Sequence, residues 1–337
     1  MMRERIKALW RLCFNDTEEF IDMYFRLRYS NDINVAIESG DEVISALQML
    51  PYPMTFCGET VRTAYISGAC THPEFRGNGA MRQLLSQSFA QMLHNNIYFS
   101  TLIPAESWLF DYYAHLEYVP VFNYSIIPLA VPSSISSEET LVEQITEYQD
   151  EIYLYLNRYL QKRSCYVQHS KKDFKVILAD LEMSKGMLFV AKQKNRIAGV
   201  AILYKQDNRL EIQELTAESQ ETVQALLYHI QHDTKCDQID LVLPPTEEKE
   251  IIPLGMARII NAKAVLQLYA IAYPKDELQI ELTDKHLAVN NGYYYLCSGK
   301  CLFSETRLPG THLQMTIGEL TERILTPLHP YMSLMLN

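Results

Sequence analysis

The chain has 337 residues, 48% apolar and 21% charged, with 12 Gly and 14 Pro. At roughly 150 residues per domain this is enough for about two domains, and the Gly and Pro content excludes a collagenous or linker-rich chain. Thirty Lys and Arg against 41 Asp and Glu leave a net charge of −11. That balance excludes the dense basic footprint that nucleic acid and anionic membranes require, and it suits a cationic substrate. The seven cysteines are scattered and form no CxxC pair, so they read as reduced thiols of a cytoplasmic protein, and no metal is expected.

The opening stretch carries charge within its first three residues and is interrupted by Lys7 and Arg11, unlike the apolar core of a signal peptide. The longest apolar tract, Ile251 to Tyr273, is broken by Arg258 and Lys263 and is not expected to span a bilayer. A first helix is expected from about residue 3. A second comes after it, capped by Asp16 with Glu19 three residues on, and Phe20, Met23, Tyr24 and Leu27 recur at helical spacing. Three antiparallel strands come next, at Asn34–Glu38, Glu42–Leu50 and Val61–Thr71. Met81, Leu84, Leu85, Ser88, Phe89 and Met92 then line one face of a helix. A buried strand at Ile97–Pro104, a helix at Glu106–Glu117 and a strand at Val119–Leu129 complete the unit, before a Pro- and Ser-rich boundary at Pro128–Ser137.

A second unit is expected to open with an acidic helix from about Ser137 to Arg163. Strands at Met187–Ala191, Ile197–Tyr204 and Leu210–Leu215 come after it, with turns at residues 194–196 and at Asp207-Asn208, then a helix at Glu218–His232 and a strand at Gln238–Leu243. The order repeats that of the first unit, as one fold used twice would do. Beyond Gly255 the expectation is a small α+β domain. Its strands lie at about Val265–Ala272, Leu278–Thr283, Gly292–Cys297 and Leu313–Thr316, with a helix at Ile317–Thr326 and an apolar tail ending at Asn337.

The sharpest signal lies after the third strand: His72-Pro73-Glu74-Phe75-Arg76-Gly77-Asn78-Gly79-Ala80. A strand that ends in an Arg-Gly-x-Gly turn and opens a helix offers free backbone N–H groups to an anion, reinforced by the helix dipole. Arg76 adds charge-assisted bonds, and the glycines let the backbone approach closely. No Gly-Lys-Ser/Thr and no GxGxxG spacing is present, so the turn is a diphosphate cradle of neither the Walker nor the dinucleotide type. Taken alone, the same turn also fits a plain tight connection before a helix.

With these residues in place, residues of about 30–130, including HPEFRGNGAMRQLL and FDYYAHLEYVPV, resemble a GCN5-related N-acetyltransferase (GNAT) domain. The whole layout resembles the enhanced-intracellular-survival (Eis) family of N-acetyltransferases. The resemblance implies an α/β (α+β) chain of three parts: a catalytic GNAT domain over 1–130, a degenerate second GNAT domain over 131–254, and a sterol-carrier-like (SCP2-like) α+β domain over 255–337 whose tail reaches the active site. It implies acetyl-CoA as cosubstrate, with Ala69, Cys70 and Thr71 on the pantetheine arm and Arg76, Gly77, Asn78, Gly79 and Ala80 on the phosphates. Met81 stands where the general motif has a small residue, as in Eis-type members.

The resemblance further implies Tyr113 as the acid that protonates the coenzyme A thiolate, and the α-carboxylate of Asn337 as the base. A tyrosine pKa of about 10 lies above the roughly 8.5 of a simple thiol, so the phenol stays protonated near neutrality. Tyr65–Thr71 offers no carboxylate, so the base must come from elsewhere. Tyr113 is one of 22 tyrosines, and His72, His115 and Cys70 near the site read more simply as structural residues, with no base visibly paired to Cys70. The expected function is transfer of an acetyl group to a primary amine such as a polyamine, an aminoglycoside or another cationic amine, by a homo-oligomer with no nucleic-acid or membrane partner. The alternatives are a non-catalytic acyl-CoA-binding or sensing protein with a retained GNAT fold, and a transferase of longer acyl groups.

Overall fold

The computed structural model describes residues 2–134, 140–206, 209–236, 238–245 and 249–336. The chain divides into two compact units: one runs to Phe122 and resumes over Leu254–Pro330, and the other holds Asn123–Pro253 and Tyr331–Leu336. No helix among the described residues is long and apolar enough to cross a membrane.

The first unit starts with α1 (Met2–Cys13) and α2 (Glu18–Leu27). Thr17, not Asp16, caps α2, its hydroxyl accepting from the Phe20 amide at 3.2 Å, while Asp16 takes the indole N–H of Trp10 at 2.7 Å. Three antiparallel strands come next, β1 (Asn34–Ser39), β2 (Glu42–Phe56) and β3 (Glu59–Thr71), then α3 (Ala80–His94), β4 (Phe99–Leu102), α4 (Trp108–Ala114) and β5 (Val119–Pro128). Strands pair in the order β1-β2-β3-β4, with β3 parallel to β4. Side-chain alternation along β2 and β3, shifted by a bulge in each strand, puts Leu47, Met49, Ala64 and Ile66 in a core beneath α3 and Val43, Ala46 and Cys70 in a second core beneath α1 and α2.

The second unit contains β6 (Thr140–Ile145), α5 (Asp150–Leu160), the short β7 (Tyr166–Val167), α6 (Lys171–Ser184), β8 (Met187–Gln193), β9 (Arg196–Gln206), β10 (Arg209–Ala217), α7 (Gln220–Thr234) and β11 (Gln238–Leu243). Strands run in the order β5-β11-β10-β9-β8-β6, with β10 parallel to β11. The strand–strand–strand–helix–strand order of the first unit is thus repeated, and the chain is mixed α/β. The expected helix over 137–163 is corrected: residues 137–139 lie outside the described residues, Thr140–Ile145 is a strand paired antiparallel with β8, and α5 is shorter. The reason is tertiary, because Thr, Val and Ile suit a pleated surface once a partner strand is present. The expected turn at Asp207-Asn208 lies outside the described residues.

The chain continues with β12 (Ile252–Ile259), which pairs antiparallel with β4, and then α8 (Ala262–Ala272), β13 (Leu278–Thr283), β14 (Gly292–Cys297), β15 (Lys300–Ser304), β16 (Leu313–Thr316) and α9 (Ile317–Leu325). The expected strand at Val265–Ala272 is a helix. Asn261 caps it through the Ala264 amide at 3.0 Å, and its buried residues Ala262, Val265, Leu266 and Ala270 keep to the helical period rather than alternation. Strands β12 and β15 have no counterpart in the sequence-based reading.

Candidate active site

Strand β3 pairs with β4 only over Thr63–Tyr65, opposite Phe99–Thr101, yet continues to Thr71. The two parallel strands therefore part beyond Tyr65, and residues 66–71 run on without β4 beside them toward the turn that leads into α3. Within this stretch β3 carries a bulge: Ser67 opposes Gln48 and Cys70 opposes Ala46, so Gly68 and Ala69 together face Leu47. Gly68 sits at φ +58°, and a Cβ there would lie 2.1 Å from the Trp10 ring, so only glycine fits. The extra residue inverts the alternation. Ala69 packs against the core that holds Tyr113 and Met81, whereas the Cys70 side chain turns to the α1 core. The Cys70 side chain is therefore committed to that core.

The cradle comes immediately after. Residues Pro73–Phe75 form one 3-10 turn, and Gly77 and Gly79 both sit at φ +79°. Gly79 is the N-cap of α3 and supplies no side-chain cap, so the amides of Ala80, Met81 and Arg82 precede the first intrahelical bond, from the Gln83 amide to the Gly79 carbonyl at 3.0 Å. A Cβ on either glycine would meet nothing within 4 Å. The left-handed backbone and the open space in front of it suit a diphosphate. Arg76 and Asn78 lie on this loop, and Arg76 is braced by its own Nε, which donates to the Thr71 carbonyl at 3.1 Å.

Tyr113, at the end of α4, is 8% exposed and packs edge-on to Tyr112 and Tyr118. Burial pushes its pKa up, which keeps the phenol protonated at neutrality. Its neighbour Tyr118 shares a 2.6 Å hydrogen bond with Ser100, while the Tyr113 hydroxyl has no protein partner among the described residues. His72 accepts the Glu74 amide through Nδ1 at 3.3 Å, and His115 Nδ1 lies 2.7 Å from the Asp111 carbonyl. Both histidines are thus engaged in local structure. Asn337 lies outside the described residues. No group of three His, Cys, Asp or Glu side chains placed to hold a metal occurs among the described residues.

Three residues here were missed by the sequence reading. Gly68 was legible as a glycine inside a strand, a usual mark of a bulge. Ser45 had no signal; its hydroxyl donates to the Cys70 carbonyl at 3.1 Å and contacts Thr71 Oγ1 at 2.9 Å. Cys13, also silent in sequence, places Sγ 3.4 Å from the Thr71 carbonyl. Its thiol pKa is pulled down to about 6, first by the Cys70 thiol beside it and then by Arg76.

Residues 2–121 match the acetyltransferase (GNAT) domain family. No curated protein sequence matches the chain. Among solved structures, a GCN5-related N-acetyltransferase from Anabaena variabilis superposes with a TM-score of 0.75 at 19% identity, covering 98% of this chain and 96% of that one. A conserved protein of unknown function from Enterococcus faecalis, described as a probable N-acyltransferase, gives a TM-score of 0.75 at 16% identity over 95% and 86% of the two chains. Eis1 from Mycobacterium abscessus gives 0.72 at 14% identity over 96% and 87%. These likenesses are of fold, and the fold implies an acyl-CoA cosubstrate. With the parted strands and the glycine cradle inside the matched segment, residues 2–121 are an acetyltransferase domain of the GNAT type, and the chain is an N-acetyltransferase at that general level.

Proposed function

We propose that the chain transfers the acetyl group of acetyl-CoA to a primary amine, with a polyamine, an aminoglycoside or another cationic amine as the acceptor class. The observation that carries this reading is one arrangement inside the first unit. The left-handed Gly77 and Gly79 open onto free space at the N-terminus of α3, and Ala69, Met81 and Tyr113 share the core beside the parted strands. Arg76 and residues 77–80 hold the diphosphate. The backbone of Ala69, Cys70 and Thr71 holds the pantetheine arm and polarises the acetyl carbonyl, where each well-aimed donor is worth about 3–4 kcal/mol. The amine nitrogen attacks the carbonyl carbon and gives up its proton to the α-carboxylate of Asn337. The tetrahedral intermediate then expels the coenzyme A sulfur, which takes the proton of the Tyr113 hydroxyl.

The net charge of −11 supports a cationic acceptor. The resemblance to Eis-type proteins supports the terminal base, the sterol-carrier-like assignment of 255–337, a homo-oligomeric state and a cytoplasmic location. Release of free thiol from acetyl-CoA in the presence of an amine panel tests the activity. Binding of the cosubstrate without thiol release would mark a non-catalytic acyl-CoA-binding protein, and turnover only with long-chain thioesters would mark a transferase of longer acyl groups. Tyr113→Phe should lower kcat about tenfold to a thousandfold with coenzyme affinity nearly intact. Unchanged kcat with chemistry rate-limiting overturns the acid role.

A further inference from the structure

Arg258 on β12 is among the largest fully buried side chains of the protein. Its guanidinium faces Asp284 at 2.6 Å, with both side chains wholly shielded from solvent. The carboxylate is held in turn: Asp284 Oδ1 accepts the amides of His286 and Leu287 at 2.9 and 3.0 Å, and Oδ2 accepts Asn290 Nδ2 at 2.8 Å. A buried ion pair is weak evidence for stability, because apolar residues of similar volume often serve as well, so its presence calls for another reason. The other bonds of the guanidinium supply one. Nη1 donates to the Ile259 carbonyl at 2.9 Å, and Nε donates to the carbonyl of Leu116 at 3.1 Å.

Leu116 belongs to the turn that fixes the end of α4. Its amide and that of Tyr118 both donate to the Tyr113 carbonyl, at 2.9 and 3.2 Å, and Glu117 between them sits at φ +63°, a conformation that a non-glycine residue holds only when its surroundings impose it. The Arg258 guanidinium also lies over the Phe89 ring at 4.4 Å, which ties the same group to α3, the helix that opens at the cradle. Every part of this network lies in the first unit.

We propose that Arg258, oriented by Asp284, is the positioning residue for Tyr113: residues beyond 254 set the place of the acid through the Leu116 carbonyl. The inference rests on the acid role of Tyr113 given above. A displacement of about 1 Å transmitted from outside the reacting groups can slow a reaction about a hundredfold, so the effect belongs in kcat and not in cosubstrate binding.

Two variants test it. R258K keeps a cation beside Asp284 and loses the Nε donor, and R258M/D284L removes both charges together so that neither is left buried alone. Both should fold, lower kcat about tenfold to a hundredfold and leave KM for acetyl-CoA nearly unchanged. With acetyl thioesters of more acidic thiols, which need less protonation on departure, the deficit should shrink as it does for Tyr113→Phe. Added to Tyr113→Phe, R258K should cause no further loss, as expected of residues acting through one group. A Tyr113→Phe enzyme slowed as expected, with R258K multiplying its loss independently, overturns the positioning inference alone. A Tyr113→Phe enzyme of unchanged kcat overturns the acid reading and this inference with it. If R258K melts early, R258M/D284L carries the test, and unchanged kcat at an intact melt overturns the inference.

Discussion

The two units carry the same irregularity and put it to different uses. In each, the third strand runs parallel to its neighbour for only a few residues, Thr63–Tyr65 in β3 and Arg209–Ile212 in β10, and then continues alone past a bulge. In each, the bulge inverts the alternation: Ile66 and Ala69 share the α3 core, and Ile212 and Leu215 share the α7 core. The connections from strand to helix differ. The first unit spends residues 72–79 on a glycine cradle and leaves α3 without a side-chain cap. The second passes to α7 through Glu218 and Ser219, and Ser219 caps the helix itself by accepting the Thr222 amide at 3.2 Å. Glu221 sits in the first turn, where hydrogen bonds from its own backbone amide and then from Ser219 hold its carboxyl below the usual range. Amides open to a phosphate in α3 are thus partly occupied in α7, with an anion already beside them.

The lone stretch of β10 is taken by the chain itself. Buried Glu214 accepts the Tyr331 hydroxyl at 2.9 Å and the Ser333 hydroxyl, His169 Nε2 lies 2.9 Å from the Ser333 carbonyl, and the amides of Val167 and Tyr331 donate to the Tyr331 and Cys165 carbonyls. In the second unit a segment of the chain itself, residues 331–333, thus lies against the stretch of β10 that runs on past β11.

The largest effect should come from making the first unit's turn resemble the second. Gly79→Val forces a branched residue into a left-handed conformation, at about 1–3 kcal/mol of strain, and fills the open space in front of the amides. Acetyl-CoA binding measured by calorimetry should be lost, with melting lowered only modestly, whereas Ser219→Gly in the second unit should leave binding untouched. Binding retained in Gly79→Val would place the diphosphate elsewhere.

An intermediate effect is expected at Glu214, whose carboxyl burial pushes to a higher pKa. A carboxyl with a folded pKa above its unfolded value contributes most below the unfolded pKa and loses that contribution as pH rises through the folded one. Glu214→Gln, which keeps an acceptor for Tyr331 and Ser333 without the charge, should therefore melt progressively higher than wild type as pH rises above the ordinary carboxylate range. Glu214→Ala leaves both hydroxyls without their acceptor and should destabilise at all pH values, by about 1–3 kcal/mol. A pH-independent difference between Glu214→Gln and wild type would show that the carboxyl titrates normally.

The smallest effect is chemical rather than energetic. Alkylation of Cys13 should persist down to a pH of about 6, because Cys70 and Arg76 favour its thiolate. Cys57 and Cys301, pushed up to about 12 and about 11 by burial, should react only in alkali. Arg76→Met should move the Cys13 profile upward, and peptide mapping after brief labelling would read it. An unmoved profile would separate Cys13 from the cradle arginine.

The sequence by itself determined the features written in local chemistry. The Arg76–Ala80 turn, the stripe of Met81, Leu84, Leu85, Phe89 and Met92, and the strands on either side arise from neighbours within about ten residues, where glycine conformation, helix period and strand alternation act. Tertiary structure decided the rest, because it depends on partners far along the chain. Pairing with β8 makes a strand of Thr140–Ile145, and Trp10 explains the glycine at the bulge of β3, beyond which Cys70 faces the α1 core. The reach of Arg258 to Leu116 spans 142 residues. A cap or a periodic face is set by residues adjacent along the chain, whereas a parted strand, an inverted register or a buried ion pair exists only once remote segments have packed together.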